Sequence, residues 1–358
     1  MTNFYEAAKR NYCLMPDTGK DFIIPVFIPH AGCPNKCIFC NQNTVTGEKN
    51  YIPSQEELHN IIGTFLNYKG GKRNRVQIGF YGGNFLGLEI GIIKKLLSAA
   101  TSYVKNGLVE SIRFSTRPDT IDDDKLDIVE NYPVSAIELG VQSMDDTVLA
   151  AAKRGHTSSD TINAVSLIKK RRFKTGLQMM IGLPGDDEIR SLYTAHRISE
   201  LSPDFVRIYP TIVLAGSSLA VLYMKGKYVP LSLEEGVSIT KKAYLIFREK
   251  NIKVIRMGLQ ATEDLREGTS ILAGPYHPAF GHLVYSEIFL DNVIGALQSE
   301  SVLPEEITIM VHPASVSKLR GLKNCNIVKI KSLFDIKSVR VLPDPSLPPS
   351  GFSIAANV

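Results

Sequence analysis

From residue 22 to residue 250 the chain alternates between short runs rich in β-branched and aromatic residues and longer stretches with helical spacing of apolar side chains. This alternation predicts strands at 22–28, 75–80, 111–115, 136–141, 175–181 and 205–209. It predicts helices at 55–68, 89–105, 122–131, 145–153, 159–171, 187–201 and 233–250. Strands joined by helical crossovers pair in parallel, so the fold class is α/β, a partial (β/α)6 barrel of the TIM type. In such a fold the functional loops gather at the C-terminal ends of the strands. A length of 358 residues leaves room for a small C-terminal α+β appendage. The expected division is an N-terminal extension at 1–21, a barrel at 22–260, a loop and helix cover segment at 261–300, a small α+β unit at 301–345 and a tail at 346–358.

The loop after the first strand holds Cys33, Cys37 and Cys40, three of the five cysteines within eight positions. An odd number of cysteines, so crowded, does not make a disulfide framework. Thiolates spaced in this way can grip three corners of a [4Fe–4S] cubane and leave one iron free for another ligand. A tetrahedral zinc site would need a fourth donor, for which Cys13 and His30 are available.

Hydrophobic residues make up 44% and charged residues 22%, which excludes collagenous, coiled-coil and wholly disordered chains. No apolar run reaches the roughly 20 residues that span a bilayer, and the first residues lack the layout of a secretory signal. A cytoplasmic protein with no membrane contact is therefore expected. The net charge is +5, with basic runs at Lys69, Lys72, Arg73 and Arg75 and at Lys169, Lys170, Arg171, Arg172 and Lys174. Such runs are solvated faces or phosphate contacts, and Lys169, Arg171 and Arg172 are candidates for RNA.

Polar motifs stand at the expected strand ends. Gly82 and Gly83 allow close backbone approach to a ligand. They are followed by Asn84, then by Ser115-Thr-Arg117-Pro-Asp119, Glu138-Leu-Gly140-Val-Gln142-Ser143 and Arg154-Gly-His156-Thr. Glu138 lies inside an apolar strand and needs a partner, for which the barrel lumen is the natural place. Arg154 can hold a carboxylate through two hydrogen bonds. His156 is read as a structural hydrogen-bonding residue.

The CxxxCxxC spacing with Phe39 before the last cysteine resembles the radical S-adenosylmethionine (SAM) superfamily. The resemblance implies that Cys33, Cys37 and Cys40 hold a [4Fe–4S] cluster whose open iron binds SAM, and that reductive cleavage gives a 5′-deoxyadenosyl radical. It also implies a reductant such as flavodoxin or ferredoxin. The ordered strings GGNF, STRPD, ELGVQS, RGHT and IYPT are similar to the catalytic subunit of Elongator and its bacterial and archaeal relatives. That likeness implies a tRNA partner and SAM contacts from Phe39, Gly82, Gly83, Asn84, Arg117, Glu138, Gln142 and Arg154. Gln142 and Arg154 also match SAM-contacting positions in the group that contains oxygen-independent coproporphyrinogen oxidase. The Elongator-type cluster loop is usually longer, and its acetyltransferase domain needs well over a hundred residues. An Elongator-like enzyme without the acetyl-handling half is therefore expected. Alternatives are a radical SAM enzyme for a small molecule or peptide, and a non-catalytic RNA-binding protein stapled by a metal.

Residues 306–342 read as strand, short helix, basic glycine-containing loop, helix and strand. This resembles a KH-type RNA-binding unit with Arg320 and Lys323 at its loop, although GLKN stands in place of GxxG. A packing or dimer-forming appendage is the alternative. Cys325 is read as a buried small residue, and the Pro- and Gly-dense stretch 269–290 as an ordered loop.

Overall fold

The structure, a computed structural model, describes residues 21–34, 36–41, 51–68, 75–259, 270–300 and 302–356. Cys13 and the basic residues Lys69, Lys72 and Arg73 lie outside them. The contacts divide the chain into one unit from Gly19 to Pro278 and another that holds Ala279 to Val358.

In the larger unit the elements run β1 (Phe22–Ile28), α1 (Gln55–Asn67), β2 (Val76–Gly82), α2 (Ile90–Lys105), β3 (Ser111–Thr116), α3 (Asp123–Glu130) and β4 (Val134–Gln142). They continue with α4 (Asp146–Ala151), α5 (Ser158–Lys169), β5 (Lys174–Ile181), α6 (Glu188–Glu200), β6 (Phe205–Pro210), β7 (Val213–Leu214), α7 (Ser218–Met224), α8 (Leu233–Glu249), β8 (Lys253–Met257) and β9 (Ile271–Ala273). Helix starts follow local chemistry. Ser54 with Glu57, Thr157 with Asp160 and Ser232 with Glu235 form capping boxes that satisfy the first amides of α1, α5 and α8.

Seven strands form one parallel sheet in the order β1-β2-β3-β4-β5-β6-β8, a curled half-barrel. The α/β class is as expected, with one strand more than six. The added edge strand, β8, pairs with β6 across a register shift. Its five residues, Lys253-Val-Ile-Arg-Met257, are too short and too mixed to stand out in the sequence. A small sheet of β7 and β9 lies beside this fold.

Parallel strands are usually apolar on both faces. Here they alternate. Ile78 and Phe80, Ile112 and Phe114, Ile137 and Leu139, and Val206 and Ile208 are fully or almost fully buried. The alternate positions carry Gln77, Tyr81, Arg113, Glu138 and Arg207, which hydrogen-bond to one another across the strands, and Gln178, which bonds to Gln142. One sheet face is thus hydrocarbon and the other is a polar lumen. Gly176 leaves room in that lumen for the Phe205 ring, which a Cβ there would strike, and that Cβ would also come within 3.1 Å of Glu138 Cγ.

The smaller unit contains α9 (Phe280–Gln298), β10 (Glu306–Val311), α10 (Val316–Arg320), α11 (Cys325–Phe334), β11 (Ser338–Pro343) and β12 (Phe352–Ala356). β10 is central, parallel to β11 and antiparallel to β12. Phe289, Val293 and Leu297 of α9 share a core with Ile307, Ile309, Leu319, Ile330 and Phe352. Two expectations are corrected here. The stretch 280–290 is helix rather than loop, because α9 is apolar on nearly every face and shows no amphipathic stripe. Cys325 is exposed, not buried, since it opens α11 on the solvent side of the loop.

Because Phe205 occupies the space beside Gly176, Gly176→Val is expected to destabilise the chain by about 1–3 kcal/mol through overpacking. A urea titration checks this: the midpoint should fall with unchanged slope. An unchanged midpoint would contradict the packing of Phe205 on β5.

Candidate active site at the mouth of the half-barrel

The cysteine loop leaves the C-terminal end of β1. It has no regular secondary structure, so its shape depends on bonds to its neighbours. The amide of Ile38 donates to the carbonyl of Ala152 just beyond α4 (3.1 Å), and its own carbonyl accepts from the amide of Leu219 in α7 (2.7 Å). The Ile38 side chain is buried with Val213, Leu219, Ala220 and Tyr228. Phe39 is half-buried and packs against that cluster and against Met180 and Leu183. Asn41 Nδ2 donates to the carbonyl of Ala215 (2.6 Å).

Asn84 fixes the other side of the loop. Its Nδ2 donates to the carbonyl of Gly32 (2.8 Å), while its Oδ1 accepts from Thr116 Oγ1 (2.6 Å), Thr120 Oγ1 (2.9 Å) and the Arg117 amide (3.0 Å). Gly32 has φ +70°, and a Cβ there would collide with the Asn84 carbonyl oxygen, so glycine is required. Gly82 ends β2 and Gly83 follows it, beside Ile28 at the end of β1 and Ala31 of the cysteine loop, and a shallow cleft there is also lined by Tyr81, Asn84 and Ser115.

Cys37 is buried, and Cys33 and Cys40 are partly so. Burial pushes the Cys33 thiol up, against the pull of the Arg154 charge. Arg154 Nη1 donates to Cys37 Sγ (3.1 Å) and Nη2 donates to the Gly140 carbonyl (2.7 Å). A Cβ at Gly140 would sit 2.8 Å from Arg154 Nη2, so this glycine lets the guanidinium in. Arg117, 2% exposed, binds Asp119 through Nε (2.9 Å) and the Arg154 carbonyl through Nη2 (2.6 Å). Burial opposes its charge, but the bond and attraction of Asp119 outweigh this and hold its pKa above the usual arginine value. Arg117 Nη1 and Arg154 Nε are buried with no hydrogen-bond partner among the described residues. Gln142 accepts from Gln178 (3.2 Å) and sits at a bulge of β4 with φ +69°, a strained conformation for a side chain of this size.

Below the mouth, Glu138 is 5% exposed and engaged on both oxygens. Arg207 Nε donates to Oε2 (2.6 Å), while Arg113 Nε and the Tyr81 hydroxyl donate to Oε1 (each 2.9 Å). Desolvation would raise its pKa, but Arg207 and Arg113 overcome that and hold it below the usual carboxylate range. The expected partner of Glu138 is thus a pair of arginines, and its carboxylate is fully used inside the protein. Arg113, Arg207 and Tyr81 belong to no motif that the sequence singled out for cofactor contact. The available signal is a charged residue between apolar neighbours on β3 and β6, in phase with Glu138. Of the basic residues read as RNA candidates, Arg171 binds Asp123 (2.9 Å) and Asp127 (2.6 Å), and Arg172 donates to the Glu130 and Tyr132 carbonyls. These two staple α3 to the end of α5. Lys169 is exposed at the end of α5.

Among the described residues, no three His, Cys, Asp or Glu side chains converge on one point as ligands of a single ion. A [4Fe–4S] cluster makes no such demand, because each thiolate binds a different iron. The donor set fits it: three thiols on a fixed loop, with unspent guanidinium N–H groups beside them.

The model of the radical SAM superfamily matches residues 27–194, and that of the Radical_SAM C-terminal domain matches 203–289. An uncharacterised protein of Methanocaldococcus jannaschii is 33% identical over 232 residues, which cover 62% of this chain and 70% of that protein. The chain belongs to the radical SAM superfamily. It is accordingly an enzyme whose cofactors are a [4Fe–4S] cluster and SAM. The tRNA uridine(34) acetyltransferase of M. jannaschii is 27% identical, over 74% of this chain and 54% of that enzyme. Human Elongator complex protein 3 is 26% identical, over 54% of this chain and 38% of that protein. The radical SAM chain thus spans about half or less of these longer relatives. The solved archaeal Methanocaldococcus infernus Elp3 with an N-terminal deletion superposes with a TM-score of 0.62 at 22% identity, covering 80% of this chain and 69% of that one, and shares the fold. No helix among the described residues is long and apolar enough to cross a membrane.

Two predictions follow from the charges. Glu138→Ala leaves two buried arginines unpaired and should cost about 3–5 kcal/mol by urea unfolding. The triple replacement Arg113→Met, Glu138→Leu, Arg207→Met should recover most of that loss, and equal losses in both would contradict the pairing. His156 is buried against the Val141 carbonyl, and burial with Arg154 and Arg117 pushes its pKa down to about 4 from an ordinary 6.5. The stability it contributes is complete above pH 6.5 and is lost as pH falls toward 4, where the unfolded chain takes up the proton first. His156→Gln should therefore lose less stability than the parent between pH 7 and pH 5. Equal losses would show that His156 is not held neutral.

Proposed function

We propose that this radical SAM enzyme modifies tRNA, and that Cys33, Cys37 and Cys40 ligate its cluster. The carrying observation is the cysteine loop itself: three thiols on a segment held rigid at Ile38, with Arg154 bonded to the Cys37 sulfur. With cluster and SAM bound and an electron delivered by a flavodoxin or small iron–sulfur protein, cleavage of the sulfonium to methionine and a 5′-deoxyadenosyl radical is the chemistry this pair supplies.

The protein's own contribution is placement. The backbone at Gly82 and Gly83 lies close to the cysteine loop and takes the methionine part of SAM. The N–H groups at Arg117 Nη1 and Arg154 Nε, without partners among the described residues, suit an anionic group, and the SAM carboxylate meets that need. Gln142 at its strained bulge takes the nucleoside part. Glu138, Arg113, Arg207 and Tyr81 close the lumen beneath and keep bulk water from the reacting atoms. Asn84 acts by positioning, since its polar atoms are spent on the loop and on β3.

The RNA assignment is supported by the tRNA named for the acetyltransferase relatives. Anaerobic reconstitution with SAM and reductant, with and without total tRNA, tests the reading. Release of 5′-deoxyadenosine should rise with tRNA, and mass spectrometry of the digested tRNA should show one shifted nucleoside. Cys37→Ala should abolish both and lose the bound iron. Release that ignores tRNA, with every nucleoside mass unchanged, would overturn the RNA assignment.

A further inference from the structure

The smaller unit carries a surface that the proposed chemistry does not use. Between β10 and β11 the chain runs strand, helix, helix, strand, and the two strands pair in parallel. Its helices α10 and α11 are joined by Gly321-Leu322-Lys323-Asn324, three of which have positive φ: Gly321 at +71°, Lys323 at +52° and Asn324 at +63°. A Cβ on Gly321 would lie 2.7 Å from Cys325 Sγ and 2.8 Å from Asn326 Oδ1. Asn324 is left-handed at the position where a GxxG loop has its second glycine, and asparagine is among the few side chains that tolerate this.

The root of the loop is fixed. Asn326 is buried, and its Nδ2 donates to Ser286 Oγ (3.0 Å), the Ser286 carbonyl (3.2 Å) and the Lys318 carbonyl (3.2 Å). The tip is exposed. The 28 residues from 307 to 334 contain no Asp or Glu and five Lys or Arg. Lys329 is paired with Glu287 of α9 (3.2 Å). Arg320, Lys323 and Lys331 are exposed and make no ion pair among the described residues. Leu322 at the tip is 50% exposed and Val328 on α11 is 63% exposed.

We propose that this loop and the adjoining face of α11 clamp the sugar–phosphate backbone of a single-stranded RNA segment. Lys323 on the loop, Arg320 just before it and Lys331 on α11, with no carboxylate between residues 307 and 334, complement a run of phosphates. Exposed aliphatic side chains beside them suit riboses and unstacked bases rather than the closed surface of a duplex. The proposal rests on the RNA reading above and gives the enzyme a second hold on its substrate, in the smaller unit.

The test uses the full chain and three probes: a single-stranded RNA octamer, a hairpin of the same composition, and total tRNA. Arg320→Glu with Lys323→Glu should weaken octamer and tRNA binding at least tenfold. It should also reduce the slope of log K against log salt by about 1.4, for two phosphates lost. Iron content and melting temperature should not change. Lys94→Glu with Lys95→Glu, the same charge change on the exposed side of α2, should leave binding near the parental level. The octamer should bind more tightly than the hairpin. Equal affinities for the parent and the Arg320/Lys323 variant, equal losses in both double variants, or preference for the hairpin would each overturn the clamp. If the octamer binds as expected and no tRNA nucleoside changes mass, the clamp stands and the reaction reading falls. If a nucleoside changes mass and the loop variant binds like the parent, the reverse holds.

Discussion

The backbone of Ile38 is the point on which the site depends. A loop without helix or ladder would leave three thiols in uncertain positions, and a cluster needs all three at once. Two main-chain bonds, one to the end of α4 and one from the start of α7, fix the residue between Cys37 and Cys40. Asn84 does the same for the glycine before Cys33. Elements that follow different strands thus converge on one short segment, as in other folds of this type, where the C-terminal ends of the strands carry the chemistry.

Electrostatics around that loop favours an anionic occupant. Glu138 is shared by Arg113 and Arg207, so the lumen keeps one positive charge beyond neutrality. Asp119 balances Arg117. Arg154 bonds directly to a cysteine sulfur and is set against it by the absence of a side chain at Gly140. In a region of low effective dielectric these charges act strongly, and an uncompensated guanidinium there is costly until a thiolate or carboxylate meets it. Burial, with Arg154 and Arg117, holds His156 neutral. The site is therefore arranged for negative charge at its mouth, while its floor is closed by internal pairing.

Much of this was legible in the residues. The β-branched and aromatic runs and the helical spacing between them place most elements to within two residues, because parallel β/α units leave few alternatives. The cysteine spacing marks the loop. The partners of Glu138 were not legible as partners: Arg113 and Arg207 lie 25 and 69 residues away, and only the strand register brings them together. Arg171 and Arg172 read as a basic run, yet fold onto acidic side chains and carbonyls of α3 and the turn after it, which sequence proximity does not reveal. The helix at α9 escapes because a segment that is apolar all round has no stripe. Asn324 stands where a GxxG loop has its second glycine, and its backbone is left-handed.

The central claim, that the three thiols hold a cubane with an iron open to SAM, is tested most directly by electron paramagnetic resonance of the anaerobically reconstituted, reduced protein. The account predicts the signal of a reduced [4Fe–4S] cluster whose shape changes when SAM is added. Absence of a cubane signal, or a signal that SAM leaves unaltered, would contradict it.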